Sequence, residues 1–463
     1  MPMPANPTNH PEADVRVVQR RVVSGSRLGF IGVSLVFAWL VRFAYVDLLA
    51  DSGQYDYMGV RAQEIPMAVL LGSLALAALP SLWLPAHLRR PTDLVTLYLF
   101  YAVHIPSCVL LPVVSESPIQ KQLSYTLALT GVMALLVWRL PLPLIAFPEP
   151  KNRSLFFWGA FVIACIGILG SFSRSGYLTL ENFNLLEVYD QRLELMARSA
   201  EIGRLFFYSA NWTAGAIVPF LLIVGLHYRR YLLVAVGIVM ALLSFVVSSN
   251  KLAYMFVPAV VGAYLTLRLT QGRHLALIMG SAFSLLGLGF VAFDSWVMSS
   301  PGGPEGYPLT WGGFFRIFCN NGFLSAVYLD IFSKLPPALY ADSFARILIP
   351  PQLDMSVPAL AGASFSEVPD VHANAHLWAD GYANLHYHGF LFSLFCVWLS
   401  YWFYESLTRC HIREIAAAGL VCFAVALANT SVHTAAISNG FLVFCALLYV
   451  WPGGRSAKPN PAA

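Results

Sequence analysis

Apolar runs of similar length, parted by short polar connections, repeat from residue 28 to residue 451. A bilayer core of about 30 Å takes roughly 20 apolar residues of helix. Twelve runs fit: 28–49, 65–84, 94–114, 123–142, 155–173, 208–226, 231–248, 252–268, 275–298, 386–404, 416–432 and 434–451. The last two are divided only by a weak break at 429–436. Two connections, 174–207 and 299–385, are far longer than the others, and their periodicity suggests short helices lying against the membrane. The pattern predicts an all-α polytopic membrane protein with about 12 transmembrane helices. It has a polar tail at 1–27, one membrane domain over 28–451 and a second tail at 452–463. No apolar run followed by a small-residue cleavage site occurs near the start, so no removable signal peptide is expected.

Composition agrees with this reading. Hydrophobic residues make up 58% of the chain and charged residues 11%, against roughly a quarter charged in soluble domains. The net charge of +4 hides a division by side. Arg16, Arg20, Arg21 and Arg27, then Arg89 and Arg90, Arg139, Lys151 and Arg153, Arg229 and Arg230, Arg268 and Arg273, Arg409 and Arg413, and finally Arg455 and Lys458 fall in alternate connections. The excess of cations places those connections and both tails in the cytoplasm. The two long connections then lie outside, where acidic residues outnumber basic ones. No nucleic-acid partner is expected. The seven Cys residues form no CxxC pair and no disulfide framework.

Basic residues that persist on an acidic face need a reason. In the first long loop Leu185, Tyr189, Leu193, Met196 and Ala200 form an apolar stripe that includes Arg192 and excludes Arg198. Arg192 either snorkels to lipid phosphates or serves a polar site, with Gly203 leaving space on nearly the same face. Arg204 follows. Lys251, in a very short outer connection, is either a headgroup anchor or part of that site. Arg316 sits among Phe314, Phe315, Ile317 and Phe318, a setting that predicts partial desolvation. Such a guanidinium either binds a phosphate through its planar fork or bridges to Asp330 or Asp342. Arg346 lies further along the loop, which ends in a dense polar run, His372, Asn374, His376, Asp380, Tyr382, Asn384, His386 and His388.

The order Arg316, Tyr328 to Ser333, Asp342 and Ser343, then Asp380, Gly381, Tyr382, Ala383, Asn384 and Gly389, resembles the second long periplasmic loop of Wzy-type polymerases of O-antigen and exopolysaccharide. In many of these an acidic residue is followed by an aromatic, an Asn, a Phe-Gly pair and a further Gly. Here Leu385 and His386 stand where Phe-Gly is expected. Arg192 with Gly203 resembles an arginine-to-glycine motif of the first loop, and Ser249, Asn250 and Lys251 resemble a Ser-x-Lys element shared with O-antigen ligases. The resemblance implies a GT-C-like fold in the bacterial inner membrane and a metal-independent glycosyltransferase active on the periplasmic side, with no cofactor. Its substrate would be undecaprenyl-diphosphate-linked oligosaccharide, and its partners the bilayer and a chain-length regulator protein.

The chemistry needs a base for the acceptor hydroxyl and cations for the leaving diphosphate. No Asp-x-Asp stands in the outer connections, so fixed cations are the natural substitute for a metal. Arg192, Arg316 and Lys251 are the first candidates, with Arg198, Arg204 and Arg346 behind them. Asp380 ranks above His376 as base. On a helix His376, Asp380 and Asn384 would share one face, where imidazole and carboxylate could tune each other. Other readings of the histidines are a metal site of His372, His376 and Asp380, or polar surface. Trp378 and Tyr382 suit stacking on sugars. Competing functions are an O-antigen ligase acting on lipid A core, a polytopic transporter of a lipid-linked or anionic substrate, and an acyltransferase using His104 or His433.

Overall fold

A computed structural model describes residues 11–138, 142–148, 204–248, 252–299, 306–368 and 371–451, with isolated positions between 151 and 162. Among these residues every regular element is helical. Seven helices are long and apolar enough to cross a membrane: α1 Ser26–Ala50, α3 Asp93–Val114, α5 Tyr208–His227, α7 Ala253–Thr270, α8 Leu275–Met298, α13 Tyr387–Thr408 and α16 Val432–Val450. The other elements are α2 Met67–Leu82, α4 Ile119–Val137, α6 Tyr231–Val246, α9 Thr310–Cys319, α10 Asn320–Phe332, α11 Val357–Phe365, α12 Leu377–Leu385, α14 Arg413–Ala418 and α15 Val421–Leu427.

The chain is a polytopic membrane protein, and five of the twelve expected spans differ from the seven. Helices α2 and α6 are apolar but shorter, and α4 opens with Gln120, Lys121, Gln122 and Ser124. The run at 416–432 is not one helix: α14 and α15 are separated at Gly419 and Leu420. The run at 155–173 lies almost wholly outside the described residues.

Hydrogen bonds between connections sort them into two ends. At one end Arg27 donates to the Ser81 and Leu84 carbonyls, Leu88 N–H to Gly272, Arg413 to Leu88 and Gln271, and Trp402 to Pro143. At the other, Gln63 donates to the Pro112 and Ser115 carbonyls, Lys121 to Ser333, Ala338 N–H to Ala383 and Glu367 N–H to Tyr57. The basic connections around Arg27, Arg89, Arg273 and Arg413 gather at the first end, and residues 57–63, 115–121, 330–343, 366–368 and 371–386 gather at the second.

The structure departs most from expectation in the large loop. Helices α9 and α10 run on without a break, but most of α10 and one side of α9 are buried inside the bundle instead of lying on its surface. The first half descends beside α8: Thr310 N–H donates to Asp294, and the Phe318 ring lies 4.8 Å from Phe283. The second half climbs beside α3, where Ser325 meets Ser107 and Asp330 meets Ser115. Both ends of this re-entrant helix therefore lie at the second end of the bundle.

A proline explains part of that placement. Pro106, at the start of the α-helical part of α3, has no N–H to offer the Ala102 carbonyl one turn back. The turn Phe100–His104 widens to a π-helix, and the Ala102 carbonyl accepts from Asn321 Nδ2 of α10 at 2.8 Å. In a bilayer an unmet carbonyl costs several kcal/mol. One buried polar residue thus pins α10 to α3.

Candidate functional site

Helix α12 and its neighbours hold the polar run at 372–388. His376 is fully buried and caps α12: its Nδ1 accepts from the N–H groups of Trp378 and Ala379, each at 3.3 Å. That leaves the proton on Nε2, which donates to Ser325 Oγ at 2.8 Å. Ser325 passes its own proton to the Asn321 carbonyl at 2.9 Å and accepts from Ser107 at 2.8 Å. Burial pushes the imidazole down from 6.5 to about 3, so the ring is neutral. Both nitrogens are committed, and His376 is an N-cap with no lone pair left for a substrate.

Three more residues of the run are built into the fold. Trp378 is fully buried, with no face open for a sugar. Tyr382 packs edge-on against Tyr125 and Phe390, and burial pushes its hydroxyl up to about 12. Asn384 accepts from Tyr340 N–H at 2.8 Å and donates to the Asp380 carbonyl at 2.9 Å. It fixes the corner at Leu339 and Tyr340, both at positive φ. Gly381 and Gly389 let α12 and α13 touch backbone to backbone, since a Cβ on either would run into the other's carbonyl.

Asp380 stands apart from this pattern. Its N–H closes the first turn of α12 on the His376 carbonyl. Its side chain, only partly exposed, has Oδ2 fully covered and without a hydrogen-bond partner. No Lys or Arg among the described residues lies within ion-pair distance of it. Burial alone pushes the carboxyl up from 3.8 to about 7. The imidazole of His376 contributes nothing to that shift, so the expected mutual tuning is absent. Tyr340 lies close enough to feel the charge, and burial first, then Asp380, holds its phenol well above its usual range.

The expected cations lie elsewhere or outside view. Arg316 is exposed, and its guanidinium rests over the Trp311 ring at 5.0 Å instead of being desolvated. It bridges neither Asp330 nor Asp342. Asp330 accepts from Ser115 at 2.6 Å, from Ser117 N–H at 2.9 Å and from Glu116 N–H at 2.9 Å. Asp342 accepts from Val357 N–H at 3.1 Å. Arg346 is exposed on the short turn Phe344–Ile347. Arg192, Arg198 and Lys251 lie outside the described residues, as does the side chain of Arg204, the first residue of a helix ending at Trp212.

His372 and His388 are exposed, and His386 forms the turn between α12 and α13 at φ +50°. Among the described residues no three His, Cys, Asp or Glu side chains are grouped to hold a metal. His104 is buried against the Leu76 carbonyl at 3.1 Å, and His433 meets Ser431 at 3.0 Å. Sequence reasoning missed Ser107, Asn321, Ser325 and Tyr340, whose roles come from contacts distant in the chain. No protein-family model, no curated protein and no solved structure matches the chain.

Proposed function

We propose that this membrane protein is a glycosyltransferase that polymerises undecaprenyl-diphosphate-linked oligosaccharide repeat units on the periplasmic side of the bacterial inner membrane. Asp380 is the general base. The observation that carries the reading is the Asp380 carboxyl, buried, uncompensated by any cation among the described residues and titrating near neutrality. A group with that proton affinity takes and returns a proton at working pH. In the reaction the acceptor hydroxyl gives its proton to Asp380 while its oxygen bonds to the anomeric carbon of the donor. The bond from that carbon to the diphosphate oxygen breaks, and the charge left on the diphosphate calls for cations. Arg316 and Arg346, exposed and in no ion pair among the described residues, are available for it. Arg192, Arg198, Arg204 and Lys251 join them on sequence grounds. The fold class proposed for this activity is GT-C-like, with a chain-length regulator as partner.

A second reading, transport of a lipid-linked or anionic substrate, is favoured by the break between α14 and α15, since transporters bind at interrupted helices. The test is a polymerisation assay with purified protein and lipid-linked repeat unit, with and without EDTA. Wild type should give a product ladder that survives EDTA and grows with pH through about 7, and Asp380→Asn should lose about 10²-fold or more in rate. No ladder, with transfer to lipid A core instead, moves the assignment to a ligase. An unchanged ladder in Asp380→Asn removes Asp380 from the chemistry.

A further inference from the structure

At the opposite end of the bundle from α12 lies a cavity of about 640 Å³, bounded by the start of α1, the connection from α2 to α3, Val137, Leu142 and Leu144, and α13. Three arginines line it, Arg27, Arg89 and Arg90, with two carboxylates, Asp93 and Glu405. The carboxylates are spoken for. Asp93 accepts from the N–H groups of Arg89 and Arg90 at 2.9 and 2.8 Å, tying down the connection before α3. Glu405 is bound by Thr92 Oγ1 and lies 3.7 Å from Arg90. Arg27 donates to two carbonyls, which hold it in place without cancelling its charge. Among the described residues neither Arg27 nor Arg89 has a carboxylate partner. Three guanidinium charges against two carboxylates leave the described lining with one net positive charge.

A second observation points the same way. Trp83 and Trp398 both line the cavity, and the indole N–H of each is buried with no acceptor among the described residues. A buried donor without a partner costs about 1–3 kcal/mol, and an oxygen-rich ligand would meet both. The third tryptophan of the lining, Trp402, already donates to Pro143. Apart from Thr96, the rest of the wall is apolar, Leu84, Pro85, Val137, Leu142 and Leu144. It continues outward through Leu142, Trp138 and Leu82, which are 47%, 74% and 54% exposed. Tryptophans beside such a surface mark the headgroup level of a bilayer.

We infer that this cavity holds the phosphoryl headgroup of an anionic membrane lipid, with the lipid chains lying over Leu142, Leu144 and Trp398. Arg27 and Arg89 meet the phosphate oxygens, and the indoles of Trp83 and Trp398 donate to the phosphate or the adjoining ester oxygens. The inference does not rest on the role of Asp380.

Native mass spectrometry of the full chain in neutral detergent tests it, titrating dioleoyl phosphatidylglycerol against dioleoyl phosphatidylcholine, with inorganic phosphate as competitor. One phosphatidylglycerol should be retained per chain, with about tenfold preference over phosphatidylcholine, and Arg89→Gln should weaken that retention about tenfold. Trp398→Phe, which keeps an aromatic ring but removes the donor, should weaken it less. Equal retention of the two lipids, or unchanged binding in both variants, overturns the proposal. Full displacement of the lipid by millimolar phosphate would make this a site for a soluble phosphate, which overturns the lipid assignment. Arg89→Lys, with the charge kept, should retain the lipid, so a folding defect in Arg89→Gln is separable from lost binding.

Discussion

His376 Nε2 and Ser325 Oγ are joined at 2.8 Å, across 51 residues of chain. With Nδ1 taken by two backbone N–H groups, this bond locks one tautomer and ties the start of α12 to the middle of the re-entrant helix. Replacing the ring removes a helix cap, leaves Ser325 without its donor and opens space in a packed region. His376→Ala should therefore lower stability by about 2–4 kcal/mol. His376→Asn, which restores the cap but does not reach Ser325, should recover about 1 kcal/mol of this. Apparent unfolding midpoints in detergent decide the matter, and an unchanged midpoint for His376→Ala would show that the cap carries no load.

His376 and Asp380 drive stability in opposite directions with pH. The imidazole, depressed to about 3, contributes stability that is present above about 6.5 and lost as pH falls. The carboxyl, raised to about 7, contributes stability that is present below about 3.8 and lost as pH rises through 7. Asp380→Asn removes only the second contribution. Its midpoint should exceed that of wild type at pH 8, with the gap closing toward pH 4. A gap independent of pH would mean that Asp380 is not held against its charge.

His386 adopts φ +50°, a backbone region that favours glycine. It is also the second of the two positions where the polymerase pattern has Phe-Gly. His386→Gly should raise stability by about 1 kcal/mol, read as an upward shift of the unfolding midpoint. A fall would mean that the imidazole makes contacts worth more than the strain it imposes.

Arg316 touches the protein chiefly through the Trp311 ring, a contact worth about 0.5–1 kcal/mol at an exposed site. Arg316→Ala should shift stability by no more than that. Loss of polymerisation in a variant of near-normal stability would then report a lost substrate contact. A large drop in stability would assign Arg316 to the fold instead.

The sequence made the membrane class plain because lipid leaves helices few alternatives. It also singled out Asp380, whose carboxylate Oδ2 is covered and has no hydrogen-bond partner among the described residues. Its neighbours misled for a physical reason. Trp378, Tyr382 and Asn384 look like a sugar-binding set by residue type, yet they build the turn that presents α12 to α13 and to Tyr340. A local pattern cannot distinguish a polar group satisfied by substrate from one satisfied by a backbone N–H 44 residues away. The re-entrant helix was hidden for a related reason. Arg316, Asn321 and Asp330 make it read as surface, although only Arg316 is exposed.

The bond between Asn321 and the Ala102 carbonyl also constrains the order of assembly. The two residues are separated by 219 positions, so during synthesis α3 emerges long before the side chain that completes it. Until then the segment must keep that carbonyl near water or lean on a temporary donor, and it settles only when the re-entrant helix arrives. A chain stopped short of residue 320 would leave α3 as an apolar helix with an open acceptor at its middle. Maturation of the N-terminal third is in this way coupled to translation of the segment that leads into α12.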